Sequence, residues 1–171
     1  MYYKKIGEIQ DYILLSRHAL ATAEHEMGRE LLRDILREHL GIEDYTISIG
    51  EHGKPYLEGL PYHFSISHSR GIVICVVSDK PIGVDIERLR DIPSGRVRAL
   101  SERFFTKDEQ EYLAKKEFGS RDFLFIWTRK EARSKFEGVP FMEIISHSCL
   151  DIPELMTATG ENYIYSEYEK L

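Results

Sequence analysis

Phe64-Ser65-Ile66-Ser67-His68-Ser69, then Gly71-Ile72-Val73-Ile74-Cys75-Val76-Val77-Ser78, then Ile82-Gly83-Val84-Asp85-Ile86 read as three short strands in succession. Each is apolar or rich in β-branched residues, and Arg70 and the Asp79-Lys80-Pro81 break separate them. Upstream, Tyr45 to Ile49 is a further short strand, followed by the turn-like His52-Gly53-Lys54-Pro55. Before these, Ala19 to Leu40 places Met27, Leu31, Leu32, Ile35, Leu36 and Leu40 near helical spacing, and Gly41 closes the run. Downstream, Phe104 to Phe118 holds Thr106 as a plausible N-cap with Glu109 three residues on, and Asp122 to Phe136 repeats helical spacing as far as Gly138. Beyond Pro140, Phe141 to Ser146 and Tyr163 to Tyr168 read as two more strands. Helices and strands mix throughout, which predicts an α+β fold.

A chain of 171 residues, 42% hydrophobic and 30% charged, is large enough for one folded unit or two small lobes sharing a core. Its longest apolar runs are far short of the roughly 20 residues of a membrane span, and Met1-Tyr-Tyr-Lys-Lys lacks a secretory apolar region. The reading is therefore a cytoplasmic protein with no membrane partner. A formal net charge of −6 argues against a nucleic-acid surface, which needs an excess of cations. Yet Arg88, Arg90, Arg96, Arg98, Arg103 and Lys107 face only Asp91 and Glu102 across one segment, and such a patch suits an acidic partner or is simply a solvated face. Cys75 and Cys149 have neither metal-site nor redox spacing and read as buried free thiols. Ile66-Ser67-His68-Ser69 recurs as Ile145-Ser146-His147-Ser148, which fits two related lobes or chance equally well.

Three clusters carry chemistry. On a strand, Asp85 and Glu87 share one face while Val84 and Ile86 bury the other; two like charges so close suit a divalent cation, or two solvated acids at a strand end. In Trp127-Thr128-Arg129-Lys130-Glu131-Ala132-Arg133-Ser134-Lys135, a helix brings Glu131 and Lys135 to one side, either a functional pair or a surface ion pair. Gly53-Lys54-Pro55-Tyr56-Leu57 holds Lys54 in a turn, and with Ser67, His68 and Ser69 it supplies an ammonium, an imidazole and hydroxyls that suit a phosphate. A satisfied polar strand and a hydrolytic Ser-His pair are the other readings, and no G-x-S-x-G elbow supports the second.

Taken in order, G-K-P-Y-L, F-S-I-S-H-S, I-G-V-D-I-E, R-F-F-T and W-T-R-K-E-A-R-S-K resemble the 4′-phosphopantetheinyl transferases, specifically the longer type related to surfactin synthetase activators. The resemblance implies a pseudo-twofold arrangement of two α+β lobes with coenzyme A in the cleft between them. Residues 1–80 would form the N-terminal, nucleotide-binding lobe, and residues 81–171 the C-terminal lobe with the metal site and the K-E-A helix. It further implies Mg2+ held by Asp85, Glu87 and Glu131, with Lys130 and Lys135 beside the diphosphate. Lys54, Pro55, Ser67 and His68 would address the nucleotide end. Glu131, or a metal-bound water positioned by it, is then the candidate base, and Lys135 is the other catalytic residue. The partner would be an acyl or peptidyl carrier protein, met by the basic segment and by apolar residues near Phe104, Phe105 and Leu113. Ser65 stands where this family often has asparagine, and Arg70 where glycine is common. Members of this type run longer after the K-E-A motif, so a shortened second lobe with an open edge is expected, as a monomer or weak homodimer. A non-catalytic coenzyme A-binding protein on the same scaffold, or a magnesium-dependent phosphohydrolase, are the competing readings.

Overall fold

In a computed structural model, which describes residues 1–50 and 53–169, one plan is used twice. Strand β1 (Tyr2–Glu8) leads through a single 3-10 turn at Tyr12–Leu14 into helix α1 (Arg17–Leu40). A small antiparallel hairpin follows, β2 (Ile47–Ile49) with β3 (Pro55–Leu57), then a longer one, β4 (His63–Ser69) with β5 (Ile72–Ser78). The larger sheet has the order β1-β5-β4, all antiparallel. The chain then enters β6 (Ile82–Arg88), crosses helices α2 (Ser94–Phe104), α3 (Lys107–Lys115), α4 (Ser120–Glu137) and the single-turn α5 (Phe141–Ile144), and returns as β7 (Leu155–Thr159) and β8 (Tyr163–Glu169). The second sheet has the order β6-β8-β7. In both halves the first strand pairs with the third and a long helix covers the sheet. This repeat of topology relates the halves; the duplicated tetrapeptide does not, because its first copy lies on β4 and its second in a turn after α5. His52 of the expected turn lies outside the described residues.

Strand β5 is apolar from end to end because both its faces are covered. Cys75 and Val77 pack under Leu32, Ile35 and Leu36 of α1, whereas Ile72, Ile74 and Val76 meet Ile82, Val84 and Ile86 of β6. Each such fully buried aliphatic side chain contributes roughly 2 kcal/mol. Helix α1 starts at Ser16, whose Oγ accepts from the Ala19 N–H at 3.2 Å, and ends at Gly41 in the left-handed region. Two glycines set how closely helix and sheet approach. A Cβ at Gly28 would lie 2.8 Å from Ile66, and one at Gly83 would lie 2.2 Å from the Ala132 carbonyl of α4. Gly83 therefore lets α4 rest on the backbone of β6, next to Asp85.

Two expectations change. Phe141 to Ser146 is not a strand: its first four residues form α5, with Phe141 packed 4.8 Å from Trp127 and Ile144 buried in a separate core with Ala132, Cys149 and Leu155. The strand of that region is β7, an edge strand largely exposed after Leu155, so it lacks the apolar alternation that would mark it in sequence. The capping box predicted at Thr106 and Glu109 is present, and both cysteines are free and buried. Among the described residues no helix is long and apolar enough to cross a membrane.

Candidate active site

The two halves meet along β4 and β6, and serine hydroxyls make the join. Ser65, Ser67 and Ser69 alternate along β4, so all three side chains point at β6. The Val84 N–H donates to Ser65 Oγ at 3.1 Å and the Ile86 N–H to Ser67 Oγ at 3.3 Å. Ser67 Oγ donates onward to Asp85 Oδ1 at 2.7 Å, and Ser69 Oγ to Glu87 Oε2 at 2.6 Å. A hydroxyl both donates and accepts, so Ser67 satisfies a strand N–H and still orients a carboxylate.

Asp85 and Glu87 thus face away from the core of β6, toward α4. Lys135 Nζ lies 2.9 Å from Asp85 Oδ1, and Arg90 Nη1 is 2.6 Å from Glu87 Oε2. Burial pushes the Asp85 carboxyl above its usual range, partly offset by the Lys135 ammonium. Glu131, one turn before Lys135, has no hydrogen-bond or ion-pair partner among the described residues. Burial first, then the negative charge of Asp85, raise its carboxyl to about 7. The Asp85, Glu87 and Glu131 side chains therefore form an under-compensated acidic group. Among the described residues no three carboxylate, imidazole or thiol groups are yet arranged as a metal cage. The donor set itself fits a hard divalent cation, because oxygen ligands and unrelieved like charge are what such an ion takes.

Beside this group runs a cleft of about 480 Å³ between α1, the β2–β3 hairpin, β4 and the end of α4. His25 and Arg29 of α1, Lys54, His68 and Lys135 line it, and none of its described lining side chains is acidic. Ile47, Ile49, Pro55 and Phe64 add an apolar wall. In a protein with net charge −6, a cleft with only basic ionisable groups is suited to an anionic ligand that also carries a flat apolar part. Lys54 reaches across it to the last turn of α4, donating to the Phe136 carbonyl at 3.0 Å, and burial lowers its ammonium below the usual lysine range. A second depression of about 260 Å³ lies on the far side of Glu87, with Arg70, Arg90, Arg96, Leu100 and Trp127 in its walls.

The structure brings Asp85, Glu87, Glu131 and Lys135 together, and places Lys54, Pro55 and His68 on the cleft. Two of the expected residues lie elsewhere. Lys130 is fully buried on the opposite side of α4, with Nζ 2.9 Å from Glu109 and hydrogen bonds to the Ile145 and His147 carbonyls at 3.3 and 2.7 Å. Its place beside a diphosphate is corrected to a place in the core. Ser67 is 4% exposed, bonds Asp85 and the β6 backbone, and is not among the residues lining the cleft. The apolar docking residues change as well: Phe105 and Leu113 are core, and Arg88 of the basic patch is 8% exposed and holds Glu8 at 2.6 Å. His25 and Arg29 are the cleft residues that sequence reading missed. Their helical spacing, together on the face of α1 that carries Gly28, is the signal that was available.

A profile of the family described as the 4′-phosphopantetheinyl transferase superfamily matches residues 81–170, just over half of the chain. The 4′-phosphopantetheinyl transferase ffp of Bacillus subtilis is 38% identical over 117 residues, covering 66% of this chain and 50% of that protein. The 4′-phosphopantetheinyl transferase psf-1 of Bacillus pumilus is 30% identical over 148 residues, 79% of this chain and 62% of that protein. The 4′-phosphopantetheinyl transferase AcpT of Salmonella typhi is 36% identical over 101 residues, 57% of this chain and 52% of that protein. The chain thus spans about half to three-fifths of the length of these relatives. With Asp85 and Glu87 of β6 and Glu131 and Lys135 of α4 gathered in one group inside the matched region, the chain belongs to the 4′-phosphopantetheinyl transferase superfamily.

Proposed function

We propose that this chain transfers the 4′-phosphopantetheine arm of coenzyme A to a serine hydroxyl of an acyl or peptidyl carrier protein. The observation that carries the reading is a cleft whose ionisable groups, among the described residues, are all basic, joined through Lys135 to the group of Asp85, Glu87 and Glu131. Residues 1–80 supply the nucleotide side through His25, Arg29, Lys54 and His68, and residues 81–171 supply the reacting end. Coenzyme A is a polyanion with an adenine, so basic side chains and an apolar wall recognise both parts. Asp85, Glu87 and Glu131 would hold Mg2+, which would supply charge neutralisation for the diphosphate under attack and for the 5′-phosphate that leaves.

The chain's own groups divide the remaining work. Lys135 sits between Asp85 and the cleft and places an ammonium where the diphosphate charge grows. Glu131 is the carboxylate of this group left without a donor among the described residues, so one of its oxygens can take the proton of the attacking serine hydroxyl. Attack at the β-phosphorus forms the new P–O bond, breaks the bond to the bridging oxygen and releases adenosine 3′,5′-bisphosphate. The depression on the far side of Glu87, with Arg70, Arg90 and Arg96, is open to an acidic carrier surface.

Intact-protein mass spectrometry of an apo carrier protein incubated with this chain, coenzyme A and Mg2+ tests the reading, beside a Glu87→Ala control. A gain of one phosphopantetheine arm that the control lacks is the expected result. No gain on fatty-acid, polyketide and peptide carriers, with coenzyme A still bound, would make the chain a non-catalytic coenzyme A-binding protein.

A further inference from the structure

Glu24 is a carboxylate on the buried face of α1, 5% exposed, where a solvated surface acid would not sit. Its two oxygens do different things. Oε1 accepts the Gly71 N–H at 2.7 Å, and Oε2 lies 3.0 Å from His68 Nδ1. The first contact is an anchor: Gly71 has φ +80°, and a Cβ there would lie 2.5 Å from Tyr12, so this turn and its N–H are fixed. Glu24 therefore arrives at the imidazole already held. His68 leaves the β4 face opposite the serines, is 46% exposed, and lines the cleft. With Nδ1 engaged, Nε2 is the nitrogen left for a ligand. A ring that donates from both nitrogens joins two anions, one on each side.

We infer that Glu24 is a positioning residue for His68, fixing the ring so that Nε2 presents a donor to an anionic group of the ligand at the basic end of the cleft. The inference rests on the coenzyme A reading above for the identity of that ligand, a phosphorylated nucleotide. The other groups around the cleft, His25, Arg29, Lys54 and Lys135, come from α1, the β2–β3 hairpin and α4; Glu24 supplies the carboxylate behind His68. Carboxylates behind a functional imidazole commonly set its orientation, and their loss costs about tenfold or more.

Glu24→Gln separates positioning from plain structure, because the amide oxygen still accepts the Gly71 N–H while the charge facing His68 is gone. Calorimetric binding of coenzyme A and of 3′-dephospho-coenzyme A would be compared in the wild type, E24Q, H68A and the double variant. The expected result is a roughly tenfold loss of coenzyme A affinity in E24Q, an equal loss in H68A, and no further loss in the double variant. The dephosphorylated ligand should lose much less. Long-range 1H–15N correlation of the His68 ring in the free protein should show altered Nδ1 and Nε2 signals in E24Q at an unchanged melting temperature. Wild-type affinity in E24Q, with unchanged ring nitrogens, overturns the inference and leaves Glu24 as an anchor for Gly71 alone. A wild-type chain that binds neither ligand overturns the coenzyme A reading instead, and the nitrogen spectra then decide the pairing by themselves.

Discussion

Two faces of α4 carry adjacent residues of one motif to opposite ends. On one face, Arg129 and Lys130 are buried and spend their donors on backbone carbonyls. The Arg129 guanidinium bonds the Cys149, Leu150, Ile152 and Leu155 carbonyls, and Lys130 bonds those of Ile145 and His147. Together they pin the irregular stretch that leads into β7. On the other face Glu131 lies beside Asp85 and Glu87, and Lys135 lines the cleft. At 100° per residue, Lys130 and Lys135 stand 500° apart, some 140° around the helix. Which lysine meets a ligand is decided by the phase of the helix on β6, and Gly83 sets that phase. One face is where the fold is held; the other is where charge is left unrelieved.

The comparison breaks most visibly at Lys130. Removing its ammonium strands the fully buried Glu109 carboxylate, so Lys130→Met should cost about 3–5 kcal/mol, read as the midpoint shift in urea unfolding. Replacing both members, as Glu109→Gln with Lys130→Met, should recover a large part of that loss. Lys135→Met is expected to do the reverse. It should change stability by less than about 1 kcal/mol, since the ion pair with Asp85 is partly exposed, while coenzyme A binding weakens about tenfold. If Lys130→Met left stability intact and removed binding, the two faces would have been assigned the wrong way round.

This division shows what sequence could and could not tell. Alternation along Val84-Asp85-Ile86-Glu87 places both acids on one strand face without reference to anything distant, and the structure agrees. Spacing on α4 puts Glu131 and Lys135 together for the same local reason. Lys130 was not legible, because burying a lysine depends on a carboxylate twenty-one positions earlier in sequence and on two carbonyls that only tertiary packing delivers. His25 and Arg29 failed likewise: they are ordinary polar residues of an amphipathic helix until β4 and the β2–β3 hairpin close around them. Strand β7 was missed because its partner, β8, covers one edge and little covers its faces.

On the side that faces Asp85, Glu131 should act on stability through pH. Its folded-state carboxyl is raised to about 7 from 4.5, so the folded form binds a proton that the unfolded chain has released. Stability that is fully present below pH 4.5 is therefore lost as pH rises through about 7. Glu131→Gln should stabilise the metal-free protein at pH 8 by about 2 kcal/mol, discounted for the solvent that still reaches the group, and should give no gain at pH 4.5 or below. Adding Mg2+ to the wild type at pH 8 should recover part of the same penalty, whereas E131Q should respond weakly. Transfer to a carrier protein should fall at least a hundredfold in E131Q.

The smallest effect is expected where the halves meet away from the cleft. There Tyr2 donates to Glu167 Oε1 at 2.5 Å, and Lys4 reaches the Tyr165 hydroxyl at 2.6 Å and Glu167 at 3.2 Å. These groups are open to solvent on at least one side, so each bond replaces one to water and contributes little net. Tyr2→Phe should therefore cost less than about 1 kcal/mol and leave coenzyme A affinity unchanged. Ser67→Ala, at the β4–β6 seam, removes one hydroxyl as well, but strips a buried Ile86 N–H of its acceptor and Asp85 of a donor. It should cost about 1–3 kcal/mol and weaken Mg2+-dependent transfer. Equal losses at Tyr2 and Ser67 would mean that the serine seam joins the halves without orienting the carboxylates beside it.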